Sequence, residues 1–165
     1  MKINFKNILI NSIIILIIFL ADRITKNYIL KIAELENIVD IYLTSYLNLY
    51  LIWNKGIAFG LFSFGDNSIY NLISLVIVVI ILVILFMIVK SNGFKKYSLI
   101  LVFGGSLGNL FDRIYYSAVP DFIDFHVNNY HWFVFNVADI FITMGVICLI
   151  YAETFSNNKK NEQSN

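Results

Sequence analysis

Charge is scarce in this chain. Asp, Glu, Lys and Arg make up 14% of its 165 residues, against about a quarter in soluble domains. There is one cysteine, Cys148, in the middle of an apolar run. That excludes an internal disulfide and any thiolate metal cluster, and leaves a buried inert thiol as the reading. The net charge is +1, and no basic block exceeds a lysine pair, so nucleic-acid binding is excluded as a function class. The two histidines, His126 and His131, stand five apart. They could pair with Asp124 on a metal, but interfacial surface residues are the reading preferred here. No cofactor is implied.

What the chain has instead is hydrophobicity: 59% apolar residues and a mean hydropathy of +0.75, the composition of an integral membrane protein. Ile8–Ala21 is apolar apart from Asn11 and Ser12 and follows Lys2 and Lys6. A cleavable signal peptide has the same outline. No small-x-small site follows, however, and the run leads straight into Asp22-Arg23, so a retained first helix is expected. Ile69–Val89 is the clearest span, with Asn71 and Ser74 as its polar residues. Tyr97–Leu110 follows, one surface made small by Gly104, Gly105, Ser106 and Gly108, which suits close helix packing in lipid. Phe133–Phe155 is a fourth apolar segment. The expected architecture is all-α, with four transmembrane helices at about 3–21, 69–89, 97–114 and 133–155 in one domain. Lys31–Asp40 reads as a surface turn or short helix. Ile41–Phe64, rich in Tyr and Leu, reads as short strands or an interfacial element, and the polar tail 156–165 as disordered.

The basic residues orient these spans. With both termini inside, Lys2, Lys6, Lys90, Lys95, Lys96, Lys159 and Lys160 gather at inner span ends, as the positive-inside rule requires. Segments 22–68 and 115–132 then lie outside, with most of the acidic residues. On that outer face converge D-R-I-T-K (Asp22–Lys26), N-K-G-I-A-F-G (Asn54–Gly60), the span end G-N-L-F-D-R (Gly108–Arg113) and the stretch Val119–Asp139. Asp22 and Lys26 face each other across one helical turn. Gly56 and Gly60 permit tight turns.

Asp139 lies inside an apolar run, where a carboxylate is costly and marks a functional hypothesis in need of a partner. The candidate partner is Asp121. Two carboxyls close together in a low-dielectric site share a proton and titrate as a unit, so one can activate water while the other polarises a carbonyl. Asn136, three residues before Asp139, can orient a carboxyl or hold substrate backbone, and Asn109 and Asp112 repeat that spacing. Other readings stand beside this one. Asp112 and Arg113 can be an ion pair ending a helix, Asp139 can be a structural hydrogen-bonding residue between spans, and Asp124 reads as solvated or locally structural. A small proton-coupled transporter or channel subunit would also use intramembrane carboxylates, though nearer the bilayer midplane and with access from both sides.

Taken in order, D-R-I-T-K, N-K-G-I-A-F-G, G-G-S-L-G-N-L-F-D-R (Gly104–Arg113), P-D-F-I-D (Pro120–Asp124) and F-N-V-A-D (Phe135–Asp139) resemble the motifs of the bacterial lipoprotein signal peptidases, or signal peptidase II. The resemblance covers nearly the whole chain. It implies an aspartic endopeptidase of the bacterial inner membrane with Asp121 and Asp139 as catalytic dyad. Asn54, Gly56, Asn109, Arg113 and Asn136 would support the dyad or hold substrate, and Asp22, Lys26 and Asp112 would fix the scaffold. The implied substrates are diacylglyceryl-modified prolipoproteins, cut before the lipid-bearing Cys by a monomer working among membrane lipids. A small extracytoplasmic β-cradle and amphipathic helix are implied too. Pro120 departs from the family's usual aliphatic residue, fixing φ and removing one N–H ahead of Asp121.

Overall fold

The computed structural model describes residues 5–56, 67–128 and 130–162. Four helices and a four-stranded sheet follow the order α1 (Phe5–Glu36), β1 (Asp40–Thr44), β2 (Leu47–Asn54), α2 (Asn67–Lys90), α3 (Gly93–Tyr116), β3 (Val119–Val127), β4 (Tyr130–Phe135) and α4 (Val137–Glu162). Among the described residues three helices are long and apolar enough to cross a membrane: α1, Tyr70–Lys90 of α2 and Val137–Thr154 of α4. Their outward side chains are apolar, as at Leu16, Leu72, Val79, Phe86 and Ile147, which suits contact with lipid rather than water.

α1 is longer than expected. At 32 residues it measures about 48 Å, against a hydrocarbon core of about 30 Å, so Asp22, Arg23 and Lys26 need not sit at its end. The stretch from Lys31, read as a surface turn or short helix, is helical through Glu36 as the end of α1. The helix stops at Asn37, whose φ of 63° is the left-handed conformation that closes helices.

α3 is the axis of the bundle. Its small residues bring the other helices to near backbone contact. A Cβ on Gly104 would stand 3.1 Å from Ile18 of α1, and one on Gly105 would stand 2.5 Å from the Ala138 carbonyl oxygen of α4. One on Gly108 would stand 2.6 Å from an Asp22 carboxylate oxygen. α4 returns the arrangement at Gly145, where a Cβ would lie 2.7 Å from the Ser98 carbonyl. The expected close-packing role of the small α3 face therefore holds. Gly105→Ala drives a methyl into backbone at Ala138, beside Asp139. The variant is expected to lose about 1–3 kcal/mol of stability, read as a lower unfolding temperature in detergent. Unchanged melting would show that α3 and α4 separate freely. Deeper along the bundle Ile81, Ile88, Leu99, Ile100 and Phe103 close a core between α2 and α3.

The sheet corrects the all-α expectation in extent. It is an antiparallel meander, β1-β2-β3-β4, drawn from both segments between helices rather than from Ile41–Phe64 alone. The stretch Val119–Phe135, expected to be loop as far as residue 132 and membrane span from Phe133, is a hairpin, and α4 starts only at Val137. Leu49, Leu51 and Ile123 pack with buried Phe122 and Val39 on Ile29 of α1, seating the sheet on the projecting end of that helix. The pairing of β2 with β3, Ile52 opposite Asp121 and Asn54 opposite Val119, joins chain segments more than sixty residues apart. At the other end α4 continues through Glu162, where a disordered tail was expected.

Candidate active site

Asp121 and Asp139 meet at one cavity. Asp121 is presented by β3 and Asp139 by the first turn of α4. Both are buried, 3% and 7% exposed. They line a space of about 220 Å³ together with Asn54, Asn109, Arg113, Ser106, Thr143 and a set of apolar residues that includes Ile77, Ile80, Ile81 and Ile142.

Each carboxyl is held by amides. Asn54 Nδ2 donates to Asp121 Oδ2 at 2.9 Å and Asn136 Nδ2 to Asp121 Oδ1 at 2.6 Å. Asn109 Nδ2 donates to Asp139 Oδ1 at 2.8 Å. Asn136 also caps α4. Its Oδ1 accepts from the Asp139 N–H at 3.1 Å, while Asp139 Oδ2 accepts from the Asn136 N–H at 3.2 Å, a reciprocal capping box. The next free N–H of that helix end, Ala138, donates to Asp22 Oδ1 at 3.1 Å. Asp139 is thus a structural hydrogen-bonding residue as well as a cavity carboxylate, and Asn136 ties it to Asp121.

Behind these amides lies a buried charge network. Lys26, fully buried, reaches Asp22 Oδ1 at 2.9 Å, Asp112 Oδ2 at 2.6 Å and Asn109 Oδ1 at 2.9 Å. An ammonium only donates, so it fixes the Asn109 oxygen toward itself and leaves the amide nitrogen for Asp139. Arg23 pairs with Asp22 at 2.7 Å and Asp112 at 2.6 Å, with Phe111 against its guanidinium. Sequence reasoning passed over Arg23, although its place inside D-R-I-T-K was a signal. The alternative of an Asp112–Arg113 ion pair is not what the described residues form. Asp112 turns to Lys26 and Arg23, and Arg113 donates to the Gly56 carbonyl and lies over the Tyr70 ring. Gly56 itself donates to Asn54 Oδ1 at 2.8 Å, orienting that amide as Lys26 orients Asn109. Residues 57–60 of that motif, Gly60 among them, lie outside the described residues.

Burial lifts the Asp121 carboxyl to about 7, and the negative charge of Asp139 adds to the effect. Asn54, Asn136 and Lys26 pull in the opposite direction. The folded chain therefore holds a proton on Asp121 that the unfolded chain releases near the ordinary value of 3.8, so this group's contribution to stability falls as pH rises from about 4 to about 7. Wild-type protein in detergent is expected to lose unfolding temperature across that window, and Asp121→Asn to lose less. Parallel curves would mean that Asp121 is ionised throughout.

Of the two readings of Asp124, solvated or locally structural, the second fits. It is 1% exposed, and its Oδ2 meets His131 Nδ1 at 2.8 Å, on the sheet rather than at the cavity. His126, expected at the surface, is buried at 7% exposure.

Fold and site together define a membrane enzyme built around a pair of buried carboxyls. Two solved structures titled as bacterial membrane enzymes share the fold. One matches with a TM-score of 0.74 and 29% identity over 91% of this chain and 90% of its own. The other has a TM-score of 0.73 and 26% identity over 86% and 90%. The chain belongs to the signal peptidase II family, whose model, Signal peptidase (SPase) II, matches residues 14–155. Relatives include the lipoprotein signal peptidase of Pelagibacter ubique (strain HTCC1062), 58% identical over 99% of both chains. That of Anaplasma phagocytophilum (strain HZ) is 37% identical over 93% of this chain and 97% of its own.

Proposed function

We propose that this peptidase is an intramembrane aspartic endopeptidase that removes signal peptides from diacylglyceryl-modified prolipoproteins, cutting just before the lipid-bearing Cys. The observation that carries the reading is the convergence of Asp121 and Asp139, from separate elements, on one cavity, bridged by Asn136. The pair shares one proton. Its ionised carboxylate takes a proton from water as the water oxygen attacks the scissile carbonyl, and the protonated carboxyl hydrogen-bonds the developing oxyanion. Collapse of the tetrahedral adduct breaks the C–N bond, with the proton passing from the dyad to the leaving amine. No covalent intermediate forms. Asn54 and Arg113 line the cavity, and in this reading they and Gly56 hold the extended substrate backbone.

The isoleucines of the cavity, on α2 and α4, suit a substrate entering sideways from the bilayer with its lipid still embedded. In this reading α3 is the fourth span. Lys90, Lys95 and Lys96 mark the cytoplasmic end and the sheet the extracytoplasmic end, with both termini cytoplasmic in the bacterial inner membrane. The protein works as a monomer. Mass mapping of the products tests the assignment. The mature product is expected to begin with the diacylglyceryl-modified Cys, and a cut at any other bond overturns the proposed specificity.

A further inference from the structure

The hairpin β3–β4 carries a second cluster of chemistry that the dyad does not use. Asp124 and His126 are two apart on β3 and so share a face, and His131 is the cross-strand partner of His126. One donor atom from each lies within 4.8 Å of the others. Asp124 Oδ2 is 2.8 Å from His131 Nδ1 and 3.6 Å from His126 Nδ1. The two imidazoles stack at 5.3 Å. Along β2, Leu47 and Leu49 line the α1 side beside Tyr28 and Ile29, so the alternate residue Asn48, opposite Asp124 in the register, lies on the other side of the sheet. There Asp124 and His131 line a cavity of about 540 Å³ with Asp40, Asn48, Tyr50 and Ile52.

The cluster is incomplete as it stands. Asp124 Oδ1, His126 Nδ1 and Asn48 Oδ1 are buried and have no hydrogen-bond partner among the described residues. Asn48 pairs with Asp124 across β2 and β3, so the three orphaned atoms belong to one neighbourhood. Buried polar atoms of this kind are rare and call for a partner.

We propose that Asp124, His126 and His131 form a site for a divalent transition-metal ion on the sheet, separate from the peptidase dyad. Two imidazoles and one carboxylate are the donor set of zinc, nickel, copper or iron rather than of magnesium or calcium, which take oxygen ligands. Ligands of a tetrahedral zinc lie about 3.3 Å apart at ordinary bond lengths. The 2.8 and 3.6 Å separations bracket that value. The remaining separation, between the two imidazole donors, is within 4.8 Å and closes by rotation of His131, whose side chain is 57% exposed and has room to turn. The ion would take the place of the Asp124–His131 hydrogen bond, take in His126, and leave a fourth position toward Asn48 or solvent. It would thereby cross-link β3 to β4, the strand that leads directly into Asn136 and the cap of α4.

The test uses the full chain in detergent, stripped with chelator and titrated with Co²⁺ and then Zn²⁺. About one equivalent per chain is expected to bind, with a Co²⁺ absorption band typical of nitrogen and oxygen ligands, and Zn²⁺ is expected to raise the unfolding temperature because it binds only the folded state. His131→Ala removes an exposed ring and should leave the fold intact. It and the isosteric Asp124→Asn are each expected to weaken Co²⁺ binding by about 100-fold. No band in the wild type, or binding undiminished in His131→Ala, overturns the proposal. The readout is metal binding, so failure here leaves the peptidase assignment untouched.

Discussion

Asp139→Asn is expected to fold normally and to lose peptide cleavage by about a thousandfold or more, within the range that a positioned acid or base contributes. The two roles of Asp139 make this substitution informative. As the third residue of α4 it accepts the Asn136 N–H, and an asparagine oxygen can accept the same bond, so the capping box survives. What the amide cannot do is take a proton from water or share one with Asp121. If Asp139 were only a cap, cleavage would persist in the asparagine variant and fall in Asp139→Ala together with stability. Asp121→Asn is expected to give the same loss of cleavage, because the protonated member of the pair is as necessary as the ionised one. Retained cleavage in either asparagine variant, with normal helicity and melting, would sink the dyad.

Lys26→Met should have the largest effect on stability. Lys26 and Arg23 together balance Asp22 and Asp112, and three of these four side chains are fully shielded from solvent. Removing the ammonium leaves two buried carboxylates with one guanidinium, an imbalance worth about 3–5 kcal/mol when one partner of a buried pair is deleted. The damage also reaches the site. Without the lysine the Asn109 amide is no longer held with its nitrogen toward Asp139, and the Asp22 contact to the α4 N-terminus loses its counter-charge. We expect a large drop in unfolding temperature and a fall in cleavage rate even below the new melting point. Adding Asp112→Asn to Lys26→Met restores the charge balance and should recover part of the stability, a coupling that a double-mutant cycle measures. Strictly additive losses would mean that the two residues do not interact as described.

Much of this arrangement was legible in the sequence because the cost of burial is local. A carboxylate inside an apolar run marks itself, and Asp139 was found that way. The glycines of α3 read as a packing face because their spacing alone places them on one side. Asp22 and Lys26, four apart, were seen to pair for the same reason.

The hairpin Val119–Phe135 was harder. Its second strand ends in a short aromatic and apolar run, Trp132–Phe135, separated from the helix at Val137 by Asn136 alone, and a short apolar run does not distinguish strand from span. Asn136 was the missed boundary signal: N-V-A-D ahead of an apolar helix is a capping sequence. The burial of Asp124 could not be read at all, since it depends on β2 and β4 flanking β3. The relay from Lys26 through Asn109 to Asp139 joins three distant segments, and no local spacing predicts it. Asn109 was chosen for its position near Asp112, and the structure supplies the reason that its amide faces the dyad.

In the proposed mechanism a carboxylate pair, working on a lipid-anchored chain, is the whole catalytic apparatus. The most direct test is to incubate the purified wild-type protein, in the presence of chelator, with a diacylglyceryl-modified prolipoprotein and with its unlipidated form. Cleavage of the lipidated precursor alone is expected, at a rate the chelator does not change. Cleavage of both forms, or inactivation by the chelator, would contradict it.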